Sequence, residues 1–256
     1  MEPSHLRARL AAAARRSARS ETNEISLEGT RLVERALRAP LKLLAVLCAE
    51  TYGARDRERE LLAELEAAEV PVLRCTAERL SELNGGRTFG DVLALADRPA
   101  PSLRPPERGP VLVLCDVQDA GNVGALCRTA AAGGARLVVA TGETDVFHPK
   151  AIRTSMGACF KLPVLELATA EEALTALHAS DFITLAAVSR GGSPPRTNTP
   201  PAERAALVLG NEAHGLRDSV RDACRARVTL PQSEGIDSFS VNAAAAMLLY
   251  EIQRDA

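Results

Sequence analysis

No tryptophan occurs in this chain, and aromatic residues make up only 3% of its 256 positions. A nucleic-acid surface built on base stacking therefore has little to work with. No apolar run reaches the ~18 residues that cross a bilayer. The N-terminus also lacks the apolar core of a secretion signal. A cytoplasmic setting with no membrane partner is the expectation. The six cysteines, Cys48, Cys75, Cys115, Cys127, Cys159 and Cys224, form no CxxC pair and no cluster with histidine. They read as buried free thiols, and no metal is expected. Net charge is only −2, so any basic surface for an anionic partner must be local.

What is present suffices for a packed core. The chain is 46% hydrophobic and 25% charged, which excludes global disorder. Its length fits one large domain or two ordinary ones. Residues 1 to about 20 read as a basic helix carrying Arg7, Arg9, Arg15, Arg16 and Arg19. Such a run is either a solvated terminal helix or a phosphate-contacting arm. From 24 to 97, strand-like runs (EISLE, LLAVLCA, PVLRC, DVLALA) alternate with helical ones, the last helix stopped by Gly85-Gly86. RPAPSLRPPERGP, from Arg98 to Pro110, holds five prolines. Proline restricts itself and its predecessor, so this reads as a stiff connection and a domain boundary. The division expected is 1–97, a linker at 98–109, and 110–256. In the last segment strand and helix alternate throughout, which argues for a parallel sheet with helices on both faces.

Ligands of such sheets bind beyond the carboxyl ends of the strands. Three polar or glycine-rich loops follow apolar strands, after Cys115, Leu209 and Leu230. In the first, DVQDAGNVG, Gly121 and Gly124 would let a backbone approach a ligand, and Asn122 stands near a helix N-cap. Arg128, amid small and apolar neighbours, needs an anionic partner: a carboxylate of this chain or a ligand phosphate. The spacing is not the GxGxxG of dinucleotide sites. In the second, Gly210-Asn211-Glu212, a carboxylate directly follows a buried strand. In the third, Ser238 and Ser240 flank Phe239 ahead of a long alanine-rich helix; Ser238 either simply caps that helix or belongs to the site.

These stretches, in order, resemble the three motifs of the SpoU (TrmH) family of RNA ribose 2'-O-methyltransferases, in the SPOUT superfamily. DVQDAGNVGALCRTAAAGGA resembles the first, LVLGNEAHGL the second and LPQSEGIDSFSVNAAAAMLLYE the third. HPKAIRTSMGACFKLPV resembles the segment between motifs one and two, and the N-terminal unit resembles an L30e-like substrate-binding domain. The resemblance implies an α/β fold whose parallel sheet carries a C-terminal trefoil knot. It implies S-adenosyl-L-methionine as cofactor, a homodimer and an RNA substrate, with ribosomal RNA preferred over transfer RNA. Cofactor contacts fall on Leu209, Gly210, Asn211, Leu230, Phe239 and Ser240. Catalytic roles fall on Asn122, Arg128, Glu212 and Ser238, with Glu212 orienting Arg128 or bonding near the nucleophile. Arg15, Arg16, Lys150, Arg153 and Arg196 would contact RNA phosphates. One position departs from the family: its third motif reads Ser-Leu-Asn-Val, and Ser240 replaces that Asn. A Rossmann-type nucleotide enzyme and a non-catalytic RNA-binding protein of the same fold are the competing readings.

Overall fold

Two apolar runs, 43–49 and 111–115, become strands with almost every residue buried, one in each of two units. The computed structural model describes residues 2–83, 90–195, 200–235 and 237–254. By contacts the chain divides into Met1–Pro99 with Phe147–Lys161, and Ala100–Val146 with Leu162–Ala256.

The first unit holds strands β1 (Glu24–Glu28), β2 (Leu43–Ala49), β3 (Val72–Cys75) and β4 (Val92–Asp97) in the order β1-β4-β2-β3. β4 runs antiparallel to both neighbours, and β2 pairs β3 in parallel. The basic N-terminal segment is two helices, Pro3–Ala13 and Arg16–Thr22, rather than the single one expected, because Arg15 between them is extended. Nor is it a solvated arm. Leu6, Leu10 and Ala13, at helical spacing, pack with Ala45, Leu47, Ala49, Leu93 and Leu95. Arg9 pairs with Glu24. Arg19 is only 2% exposed and donates to the Ala13 carbonyl at 3.1 Å. Arg15 and Arg16 remain exposed.

The same unit includes helix Pro149–Ser155, capped by His148, whose Nδ1 accepts from the Lys150 amide at 3.1 Å. Arg153 on this helix forms an ion pair with Glu28 of β1, both side chains being largely shielded. The phosphate contact expected at Arg153 thus meets a guanidinium already paired with a carboxylate of its own chain. Lys150 is half-buried. Arg196 and the Gly85-Gly86 helix stop lie outside the described residues.

The second unit is a six-stranded, all-parallel sheet: β5 (Val111–Cys115), β6 (Leu137–Thr141), β7 (Val164–Leu167), β8 (Ile183–Ala187), β9 (Ala205–Leu209) and β10 (Ala226–Val228). Their order is β10-β8-β9-β5-β6-β7. Alternate residues explain the two-sided burial. Val111 and Val113 share a cluster with Leu174 and Leu177 of helix Ala170–Ala179. The opposite side carries helix Val241–Gln253, which packs on β9 and on helix Ala120–Ala132 through Ala245, Leu248, Leu249 and Ile252. All six cysteines are free thiols. Burial pushes Cys115 and Cys159 up to about 12, which keeps them protonated and unreactive at neutral pH.

The chain builds β5 to β7 outward on one side, then returns to build β8, β9 and β10 on the other, with β9 inserted between β8 and β5. The strand order therefore reverses between β5 and β9, and ligands of parallel sheets bind beyond the carboxyl ends near such a switch point.

Candidate active site

A cavity of about 760 Å³ lies at the carboxyl ends of β8, β9 and β10, within the range of small-molecule sites. Asn122 lines it from the first loop, Leu209 to Glu212 from the second, and Leu230 with Ser238 to Ser240 from the third. Nine of the ten expected catalytic and cofactor positions thus share one cavity. Arg128 is the exception. It sits exposed on helix Ala120–Ala132, off the cavity lining, with no hydrogen bond or ion pair among the described residues.

The first loop is shorter than its glycines suggest. The helix begins at Ala120, and Asp119 is its N-cap, accepting from the Asn122 amide at 2.9 Å. Asn122 is therefore a first-turn residue rather than the cap. Gly121 and Gly124 are helical, and Gly124 is buried. The loop turns at Asp116, which takes a left-handed conformation at φ 55°.

The second loop is a hub. Asn211 Oδ1 accepts from the Ala213 and His214 amides at 2.9 and 3.2 Å, and its Nδ2 donates to the Asp116 carbonyl at 3.0 Å. Asn211 and Gly215 exchange backbone bonds at 3.1 and 2.8 Å. Gly210 is forced by this closure: a Cβ there would stand 2.3 Å from the carbonyl carbon of Gly215. Glu212 accepts from Asn122 Nδ2 at 3.0 Å and from the Gln118 and Asp119 amides at 3.3 Å each. It fixes the first loop, and no ion pair joins it to Arg128 among the described residues. Partial burial raises the Glu212 carboxyl, but the bonds from Asn122 and the backbone outweigh it and hold the group below its ordinary 4.5.

A lowered folded value means these contacts stabilise above the ordinary carboxylate range and lose that contribution as pH falls through the folded value. Glu212→Gln is accordingly expected to unfold at lower urea concentration than wild type at pH 7. The gap should close as pH drops below 4.5; a gap equal at both pH values would contradict the assignment.

The third loop settles one alternative and explains one departure. Ser240, not Ser238, caps helix Val241–Gln253, accepting from the Ala243 amide at 3.3 Å. Serine and asparagine are comparably good N-caps, so the departure at Ser240 keeps the local function. Ser238 is left exposed at the cavity. Asn242, two positions on, accepts from Thr129 Oγ at 2.7 Å and ties the two helices together. Phe239 leaves 41% of its surface exposed at the cavity. Arg190 and Asp237 also line it. Sequence reading missed both, because nothing in the strand pattern places the loop after β8 beside the third loop.

The SpoU rRNA methylase family matches residues 109–250. The chain belongs to the SpoU family. Its SpoU region is preceded by a match to the substrate-binding domain of RNA 2'-O ribose methyltransferases over residues 26–102. Among SpoU relatives, an uncharacterized tRNA/rRNA methyltransferase of Mycobacterium tuberculosis is 33% identical, over 89% of this chain and 80% of its own. The 23S rRNA guanosine 2'-O-methyltransferase RlmP of Bacillus subtilis is 27% identical, over 92% and 90%. A crystal structure of an RNA 2'-O ribose methyltransferase aligns with TM-score 0.82 at 28% identity, over 99% of this chain and 98% of that one. The SpoU methyltransferase AviRb of Streptomyces viridochromogenes, bound to AdoMet, shares the fold with TM-score 0.84 at 24% identity, over 100% and 98%.

Proposed function

We propose that this protein transfers a methyl group from S-adenosylmethionine to a ribose 2'-hydroxyl in ribosomal RNA. The observation that carries the reading is the convergence of the three SpoU loops on one cavity. The residues present suit the cofactor. The tight Gly210 turn leaves backbone at the cavity wall where any side chain would clash, and the exposed ring of Phe239 offers a face that a purine would cover.

Leu209, Gly210, Leu230 and Phe239 would hold the adenosine end. S-adenosylmethionine supplies an electrophilic methyl group, so this chain's task is positioning and proton handling. Asn122, its amide nitrogen held by Glu212, presents an acceptor for the 2'-hydroxyl. Ser238 adds a second hydroxyl contact. Arg128, unpaired, fixes the neighbouring phosphate and favours the alkoxide that develops as the proton leaves. Asn211 and Ser240 act through the backbone they hold.

The preference for ribosomal RNA follows the relatives, whose names specify guanosine in one and uridine in another, both in 23S rRNA. Arg15 and Arg16 on the first unit are candidate phosphate contacts. The reading extends to a homodimer built on helix Val241–Gln253, whose Tyr250 is 63% exposed. It also extends to a trefoil knot, supported by the return of the chain from edge strand β10 along the 189–193 loop. The test is transfer of radiolabelled methyl to purified 23S and transfer RNA, with 2'-O-methyl mapping of the product and light scattering of the enzyme. Label in 23S ribose and twice the 27.1 kDa chain mass are expected. Label confined to transfer RNA, or none, would reject the substrate assignment.

A further inference from the structure

Five side chains that carry charge at neutral pH line the cavity: Arg190, Glu212, Arg221, Arg227 and Asp237. Three are committed. Glu212 is held by Asn122 and two amides. Arg221 pairs with Asp218 and Asp222 at 2.9 and 3.3 Å, and Arg227 with Asp222 at 2.8 Å. Arg190 and Asp237 have no hydrogen bond or ion pair among the described residues. They are both exposed and lie on different segments, Arg190 on the loop after β8 and Asp237 on the stretch before helix Val241–Gln253. Two opposite charges left unpaired in one cavity, and not paired with each other, are the complement of a zwitterion.

We infer that Arg190 and Asp237 form an amino-acid subsite, Arg190 taking the α-carboxylate of the cofactor and Asp237 its α-ammonium. This rests on the methyltransferase reading above and adds to it the recognition of the cofactor's methionine end. The chemistry fits the residues. A guanidinium fork matches a carboxylate in two parallel bonds, and a carboxylate accepts from an ammonium. The division of labour follows: the Gly210 turn and Phe239 hold the nucleoside, and the two free charges read the amino acid.

Calorimetric titration separates the parts. S-adenosylhomocysteine carries the amino-acid end, whereas 5'-methylthioadenosine is the same nucleoside thioether without it. Wild type is expected to bind the first more tightly. Arg190→Ala and Asp237→Asn are each expected to weaken it about tenfold, the scale of one charge-assisted contact, and to leave 5'-methylthioadenosine within about twofold. Unchanged affinity for S-adenosylhomocysteine in both variants would overturn the inference, as would equal weakening of both ligands. Loss of RNA affinity alone in Arg190→Ala would make that residue a phosphate contact and overturn it as well. Wild type that binds neither ligand would instead remove the methyltransferase reading on which the subsite stands.

Discussion

Arg128→Ala is expected to lower kcat for methyl transfer by about two orders of magnitude or more, the scale of removing one positioned charge from a developing anion. Cofactor affinity should stay at the wild-type level, because Arg128 does not line the cavity. The structure sharpens this prediction. Arg128 is exposed, and no carboxylate meets it among the described residues, so its guanidinium is open to a phosphate of the substrate. Its helix starts in the loop that Glu212 clamps, so its position is set by the same network that shapes the site. Arg128→Lys should recover only part of the rate, since an ammonium lacks the planar fork. The measurement is single-turnover methyl transfer beside a cofactor titration. A kcat within a few-fold of wild type would remove Arg128 from the chemistry, and a matching loss of cofactor affinity would assign it a different role.

Gly210→Ala is expected to abolish cofactor binding, by about 100-fold or more. The added methyl would stand 2.3 Å from the Gly215 carbonyl carbon and 2.4 Å from both the Gly215 oxygen and the Leu216 nitrogen. All three are backbone atoms, so no side chain can rotate away, and the loop itself must open. Opening it displaces Asn211 and Glu212, whose bonds fix the first loop. A shift of about 1 Å at a site's supporting shell is enough to cost about two orders of magnitude. The fold should survive, because Gly210 sits just past the last residue of β9 rather than inside the core. Circular dichroism at the wild-type level together with lost S-adenosylhomocysteine binding is the expected pair of results. Retained binding within threefold would mean the loop adapts and the turn is not the cradle.

Much of the site was legible in the chain because its parts are local. Each loop directly follows an apolar strand, and the sequence spacing of Asn122, Gly210, Glu212 and Ser238 places each at a strand's carboxyl end whatever the strand order. Local pattern left the exact caps open. Asp119 and Ser240 hold them instead of Asn122 and Ser238, because capping depends on where the backbone leaves the helical conformation, and several polar residues in each loop were competent to do it. The pairing of the basic residues was hidden for a related reason. Arg153 and Arg9 read as available charge in sequence, but each has a carboxylate brought to it by a strand more than a dozen residues away.

The sequence by itself determined a parallel α/β unit with polar loops at its strand ends, and the three stretches that resemble the SpoU motifs. Burial and periodicity are properties of short segments, so they survive without knowledge of what lies alongside. Only the tertiary structure decided the strand order that brings the loop after β8 beside the third loop. It thereby left Arg190 and Asp237 as unpaired charges in one cavity and the guanidinium of Arg128 outside it. Ion pairing is settled over a few ångströms between segments distant in the chain, and that distance is written in the sheet's order rather than in any one of its strands.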